Sequence, residues 1–472
     1  MHRRLVERLY DARALTLRAA APALALRRRR YRGAPVVRYA PMPEAQPRPL
    51  EGYPDRLWAP EGATVTFHLR SPYAENRLVV QRVTGPGTYE PVASLPFGRT
   101  EQPLPPGAPA TGCGWAPTLR LPLDERFRTG YHRAVVASDE ASADAIEGSA
   151  ISFLVGPVRP RSRVAVIAPT ATWLAYNPWG GRSLYHNEQA TETTYFASAA
   201  RPNPALGWAP DRHIHAIRVE AHGFNWLDGE VGADLYPDWA LETPDVLAPY
   251  RLLVLLYHAE YVSDAMHRSL RQLVDRGRSL LALGGNQVYW RIRWLDDRAG
   301  IECRKDATAF ATGPGRGGLW RHTAHPEDRL LGVRFTDPGT GTYAPYRVAD
   351  AGHWLYDGLD VAEGDLFGHT GVTPFPLCGD ETDAPTALSG LGAEVVARGL
   401  NRAAAVDGDY TVWQSGDPAW DGTAGGAIAL TPRSDRHAVL ATGAIHSASG
   451  LGVDRVFTGL LRNFLQRYAS YP

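Results

Sequence analysis

The chain has 472 residues, with 44% hydrophobic, 21% charged and 10% aromatic residues, which allows two or three globular domains and excludes chain-wide disorder or fibrous and low-complexity classes. Lys+Arg and Asp+Glu are 50 each, and no apolar run approaches the roughly 18 residues that span a bilayer, so neither a nucleic-acid nor a membrane partner is expected. Gly 47 and Pro 38 imply many turns and long connections.

Residues 1–45 read as a basic arm. Within 1–40 there are eleven Arg against Glu7 and Asp11, and Leu5, Leu9 and Ala12 lie on one stripe of a helix that ends before Pro22. Arg13 and Arg18 interrupt what would be the apolar stretch of a signal peptide, which favours a helix packed on the body or on a neighbouring subunit. Residues 46–158 carry short period-two runs (63–69, 77–83, 131–137, 150–155) between Pro/Gly turns and predict a β-sandwich. Trp58 and Trp115 there are either sugar-contacting or core residues, and a structural or docking role is favoured.

From 159 to 472 apolar runs alternate with helical segments, the signature of a wound α/β sheet. Strands are expected at 164–168, 251–257, 279–283 and 438–442. Helices are expected around 224–227, at 264–276 and at 453–467.

In such sheets ligands bind beyond the strand carboxyl ends. Three clusters fall there: Pro169 to Tyr185, Tyr257 to Ser263, and Gly284 to Arg291. His258 and Glu260 stand one residue apart at a strand end, a pairing suited to metal binding or acid–base work, or to a plain structural pair. Lys305 is the only lysine and has no motif around it, so Schiff-base and P-loop chemistry drop out. Cys113, Cys303 and Cys378 are too far apart for a disulfide framework or a CxxC site, which fits a reducing cytoplasm. No Cys occupies the strand-end elbow, and neither GxSxG nor GxGxxG is present, so thiol amidotransfer, serine hydrolysis and dinucleotide chemistry are unsupported.

The ordered motifs T-x-T-W-x-A-Y-N-x-W-G-G-x-S-L-Y (170–185), H-x-E-Y-x-S (258–263), L-G-G-N-x-x-Y-W-R (283–291) and Gly379-Asp380-Glu381-Thr382-Asp383 resemble the N,N-dimethylformamidase large (beta) subunit family across residues 160–470. That resemblance implies a β-sandwich followed by a class I glutamine amidotransferase-like wound α/β domain lacking the catalytic Cys. It also implies one iron (Fe3+) per chain, bound by two tyrosines and a glutamate with a histidine close by. Tyr176 matches the first tyrosine, Tyr185 the second with Tyr195 as competitor, Glu260 the glutamate and His258 the histidine. Phenolate and carboxylate are hard oxygen donors suited to such a cation.

The activity implied is hydrolysis of a small N-substituted amide or formamide. Asn177, Asn286 and Glu381 are further candidates to orient substrate or stabilise an oxyanion, and Trp173, Trp179, Tyr289 and Trp290 to wall an apolar pocket. The alternatives are a tyrosinate-iron oxygenase and a non-catalytic glycan- or partner-binding protein. The expected partners are the amide itself, a second copy in a homodimer and a small accessory subunit. Ala259 within H-x-E and Gln287-Val288 after the glycines depart from the family pattern, and these changes question dimethylformamide itself as the substrate.

Overall fold

Seven strands between Glu51 and Gly156 bear out the period-two reading: β1 (Glu51–Pro54), β2 (Trp58–Pro60), β3 (Thr64–Gly85), β4 (Thr88–Thr100), β5 (Leu119–Pro122), β6 (Gly130–Ala137) and β7 (Ile151–Gly156). The computed structural model describes residues 46–185, 194–204, 206, 217–335, 342–386, 389–401 and 425–469; the basic arm lies outside them.

The two runs expected at 63–69 and 77–83 are one 22-residue strand. The first half of β3 pairs β1 and β5, and its second half pairs β4 and β6. A single folded seven-stranded sheet therefore supplies both faces of the core. Val65, Phe67 and Leu69 from one half meet Leu78, Val80, Val136 and Phe153 from the other. Alternation puts every second side chain inside.

The second sheet has nine strands in the order β10-β8-β11-β13-β24-β23-β22-β18-β19. In chain order the strands beyond β7 are β8 (Val164–Ala168), β9 (Phe196–Ser198), β10 (Asp234–Pro237), β11 (Leu252–Tyr257), β12 (Tyr261–Ser263), β13 (Ser279–Gly284), β14 (Trp290–Trp294) and β15 (Gly300–Cys303). They continue with β16 (Val333–Phe335), β17 (Thr342–Ala344), β18 (Tyr346–Val348), β19 (Leu366–Phe367), β20 (Cys378–Asp380), β21 (Asp383–Pro385), β22 (Glu394–Gly399), β23 (Ala427–Ser434) and β24 (His437–Ala441). Strands β10, β8, β11, β13 and β24 are parallel, and the rest of the sheet is antiparallel.

The parallel strands are apolar on both faces because both faces are covered. Val254 and Leu256 of β11 share a core with helices Ile217–Val231 and Arg455–Tyr468, whereas Leu253 and Leu255 point to the opposite core under helix Asp264–Asp275. The latter helix begins where Ser263 accepts a hydrogen bond from Met266 N at 3.2 Å, a side-chain N-cap. Its buried stripe is Met266, Leu270, Leu273 and Val274. The segment expected as a short helix around 224–227 lies within the 15-residue helix Ile217–Val231.

The first sheet docks on the edge of the second. Trp58 stacks on Tyr236 and donates from Nε1 to the Leu235 carbonyl at 3.0 Å, while Trp115 is buried against Tyr53 and Trp179. Both tryptophans are packing residues. Among the described residues no helix is long and apolar enough to cross a membrane.

Candidate functional site

The chain passes from β8 to β10 on one side of β8 and then to β11 on the other, so the winding direction switches between β8 and β11. Loops diverge at such a point and leave a crevice beyond the strand ends. Helix Thr170–Ala175 follows β8 and ends at Tyr176, and the His258-Ala259-Glu260 turn follows β11. Thr172 joins them, donating from Oγ1 to the His258 carbonyl at 2.8 Å and accepting from Glu260 N at 3.3 Å. Behind the turn, the amides of Val288, Tyr289 and Trp290 donate to the carbonyls of Ala259 and Glu260 at 2.8–2.9 Å.

The side chains converge on Glu260. Tyr176 donates its hydroxyl to Glu260 Oε2 at 2.9 Å and Tyr185 donates to Oε1 at 2.5 Å. The two phenol rings stack with centroids 4.3 Å apart. His258 Nε2 lies 3.2 Å from Glu260 Oε2 and 3.7 Å from Glu381 Oε2. Its Nδ1 donates to the Gly285 carbonyl at 3.0 Å, which turns Nε2 towards the carboxylates. Asn286 donates from Nδ2 to Glu381 Oε2 at 2.7 Å and from its backbone to Asp383 Oδ1 at 2.8 Å. Glu260 and His258 form a buried floor; Tyr176, Tyr185, Trp290, Lys305 and Glu381 are half-buried around it.

The two glycines of L-G-G-N are there for close approach. A Cβ on Gly284 would lie 1.7 Å from the Tyr257 carbonyl oxygen, and one on Gly285 2.5 Å from that of Glu381 and 2.7 Å from Ile445 N. Four non-glycine residues at these strand ends adopt positive φ: Tyr257 (62°), Asn286 (45°), Val288 (57°) and Asp380 (68°). Strained backbone of this kind is held only where the surroundings over-determine it. Each residue adjoins a turn that aims a site side chain.

The electrostatics follow from burial and crowding. Burial, then the Glu260 charge, pushes both Tyr176 and Tyr185 well above the usual phenol value. Burial also opposes charge on Glu260, yet the His258 bond and charge and the Lys305 charge outweigh it and lower its pKa. For His258, burial is outweighed by the bond to Glu260 and the charges of Glu260 and Glu381, which raise it to about 9. Glu381 is raised to about 8, chiefly by burial.

Not every expected residue joins the site. Tyr195 donates to Asp306 Oδ2 at 2.9 Å; it is Tyr185 that meets Glu260. Asn177 builds its own loop, with Nδ2 donating to the Pro202 carbonyl at 2.8 Å and Oδ1 accepting from Trp179 N at 3.1 Å. Trp173 and Trp179 are core residues whose indole N–H groups are taken by Glu220 and Glu51, and Tyr289 packs on Phe335. Of the four aromatics expected as pocket walls, Trp290 is the one beside the site.

Two residues escaped the sequence reading. Thr172, within T-x-T, clips the His-Ala-Glu turn. Lys305 places Nζ 3.1 Å from the Tyr185 ring centroid, 4.9 Å from Trp290 and 5.7 Å from Tyr261, a cation–π arrangement. Its signal was its solitude, as the only lysine in a chain that otherwise uses arginine.

A family model described as N,N-dimethylformamidase beta subunit-like, C-terminal matches residues 78–459. The chain belongs to this family. The matched span of the dimethylformamidase-like chain begins inside β3 and contains every residue of the site. No curated protein matches it. A solved structure of a family 123 glycoside hydrolase from Clostridium perfringens, acting in glycolipid glycan hydrolysis, aligns at 10% identity over 52% of this chain and 46% of that chain, with a TM-score of 0.10. The chain thus spans about half the length of that structure, and so slight a likeness carries no argument.

Among the described residues no group of three or more His, Cys, Asp or Glu is arranged to hold a metal ion. The donor set expected here takes two of its three ligands from tyrosine. Two hydroxyl hydrogens point at one carboxylate on a buried floor, so the phenols and Glu260 form a cluster of oxygen donors whose protons a hard cation would replace. By the chemistry of its donors, the set fits iron.

Proposed function

We propose that this chain is an iron-dependent amidohydrolase that cleaves the C–N bond of a small N-substituted amide or formamide. Tyr176, Tyr185 and Glu260 are assigned as the residues that hold the metal. The observation that carries the reading is the convergence of both phenols on the one carboxylate, beside a histidine fixed by a backbone carbonyl. Family membership gives the reaction class, and the mixed sheet with its switch point supports the amidotransferase-like reading of the α/β region.

Bound iron would supply a Lewis acid that polarises the amide carbonyl and acidifies water, and would take up the carboxylate charge that holds His258 protonated. His258 Nε2 then accepts the proton of the attacking water. Glu381, its proton retained by burial and its carboxyl held by Asn286, is placed to protonate the departing amine. The Asn286 amide keeps Glu381 turned towards His258. Lys305 holds positive charge over Tyr185 and offsets the anionic cluster, while Trp290 bounds the mouth where an alkyl or aryl substituent would lie. The beta-subunit description supports assembly with further subunits, which we include in the proposal.

The test is the visible spectrum, metal content and amide hydrolysis of the purified chain beside Tyr176→Phe, Tyr185→Phe, Glu260→Gln and His258→Gln. The first three are expected to lose iron, the charge-transfer band and activity together. His258→Gln is expected to keep iron and lose turnover by roughly 10²–10⁴-fold, the usual scale for a lost general base. Iron-free protein with full hydrolytic activity would overturn the metal assignment, and substrate-dependent oxygen consumption would replace hydrolysis by oxygenation.

A further inference from the structure

A second concavity, of about 370 Å³, opens where the C-terminal end of helix Asp264–Asp275 meets helix Glu327–Leu331 and β23, with Arg271, Asp275, His325, Arg329 and Arg433 among its lining. Three guanidiniums face one carboxylate there, and among the described residues none of the three has an ion-pair partner within salt-bridge distance. A larger concavity of about 900 Å³ between the two sheets also holds arginines, but they stand among five carboxylates, and Arg161 is already engaged by Glu61 and Asp234.

Arg433 is built into the smaller site. Its Nη2 donates to the carbonyls of Arg329 and Leu330 at 2.9 and 2.8 Å, at the end of helix Glu327–Leu331, and its buried Nε has no hydrogen-bond partner. A buried unsatisfied donor calls for an acceptor. The local field agrees: besides burial, the charges of Arg271 and Arg329 lower the His325 pKa, so two cations reach the same mouth. Val274, Pro326, Leu330 and Leu391 line the rest with apolar surface.

We propose that this concavity binds a small organic phosphate, a dianionic head on the three guanidiniums with a short apolar body against the leucines. Planar guanidiniums suit such a head because their paired N–H groups meet two oxygens at once. The volume exceeds what a bare oxyanion fills, and the apolar wall sets the body apart from the solvent-facing head. Asp275 at the rim favours a neutral or donor-bearing body over a second anionic group. The site is separate from the Glu260 cluster, so it stands whether or not the amidohydrolase reading does.

The experiment is a titration of the full chain with phenyl phosphate, inorganic phosphate and sodium chloride at matched ionic strength, read by thermal shift and by calorimetry. A saturable stabilisation by phenyl phosphate is expected, tighter than that by inorganic phosphate. Arg271→Gln and Arg329→Gln, whose side chains make no hydrogen bond among the described residues, should fold as the parent does and weaken the phenyl phosphate Kd by about tenfold or more. Tyr185→Phe should bind it like the parent. A response no greater than that to chloride would overturn the proposal. So would unchanged affinity in both arginine variants, or loss of binding in Tyr185→Phe alone.

Discussion

Glu260 accepts hydrogen bonds from two phenols while a histidine and a lysine hold its pKa down, an arrangement with a direct consequence at the scale of single residues. If the phenol protons occupy the place of a cation, iron uptake must release them, because metal ligands bind deprotonated. Titrating metal-free protein with iron in weak buffer should therefore acidify the solution, and Tyr185→Phe should release less acid. Lys305 makes a second expectation. Its ammonium lies on the Tyr185 ring, so Lys305→Gln removes a positive charge beside the donors without removing a donor. It should retain iron and reduce kcat/KM by roughly tenfold, on the scale of a lost electrostatic contact, with partial recovery in Lys305→Arg. A variant with unchanged kinetics would leave Lys305 a packing residue.

The strand-end turns set the scale of elements. β11 and β13 run parallel in register from Leu252↔Ser279 to Tyr257↔Gly284, so the His258 and Asn286 turns emerge side by side. Gly285 lets the second turn pass against the Glu381 and Ile445 backbones. Gly285→Ala should destabilise the chain by about 1–3 kcal/mol, the usual cost of overpacking. It should also lower activity beyond that loss, since Asn286 and Glu381 must shift; urea denaturation beside kinetics separates the two effects. Sequence reading found these strands because their runs are apolar throughout, and found the turns through H-x-E and G-G-N. It did not find β9, β10, β12 or β14–β23, most of which have two to five residues and are ordered by tertiary pairing rather than by an apolar period.

At the scale of the whole molecule, buried polar ties join the two sheets. Glu220 of helix Ile217–Val231 accepts from Tyr131 of β6 at 3.2 Å and from Trp173 at 3.1 and 3.2 Å. Trp179 reaches across to Glu51 at 2.7 Å. Burial above all raises Glu51 to about 7, Asp238 to about 7 and Glu220 to about 8. Each keeps in the folded chain a proton that the unfolded chain gives up near pH 4. Folded protein thus binds more protons than unfolded, and this contribution to stability is full below about pH 4 and lost as pH rises through 7 to 8. The melting temperature should fall across that window, and Glu220→Gln should flatten the upper part of the fall. An unchanged slope in Glu220→Gln would count against a protonated Glu220.

What the sequence determined by itself was local and repetitive. Period-two runs marked the first sheet, apolar runs the parallel strands and an i, i+4 stripe the helix Asp264–Asp275, because each pattern reflects one element's burial. Motif order carried the family and brought Tyr176, Tyr185, His258 and Glu260 into view. Only the tertiary structure decided that β3 is one strand serving both faces, that Tyr185 rather than Tyr195 meets Glu260, and that Asn177, Trp173 and Trp179 are structural. It alone set the lone lysine on a phenol ring. The physical reason is that hydrogen bonds and ring contacts join residues 75 and more positions apart, as Tyr185 and Glu260 are. Such pairings depend on how strands and loops cross in space, and leave no period in the chain.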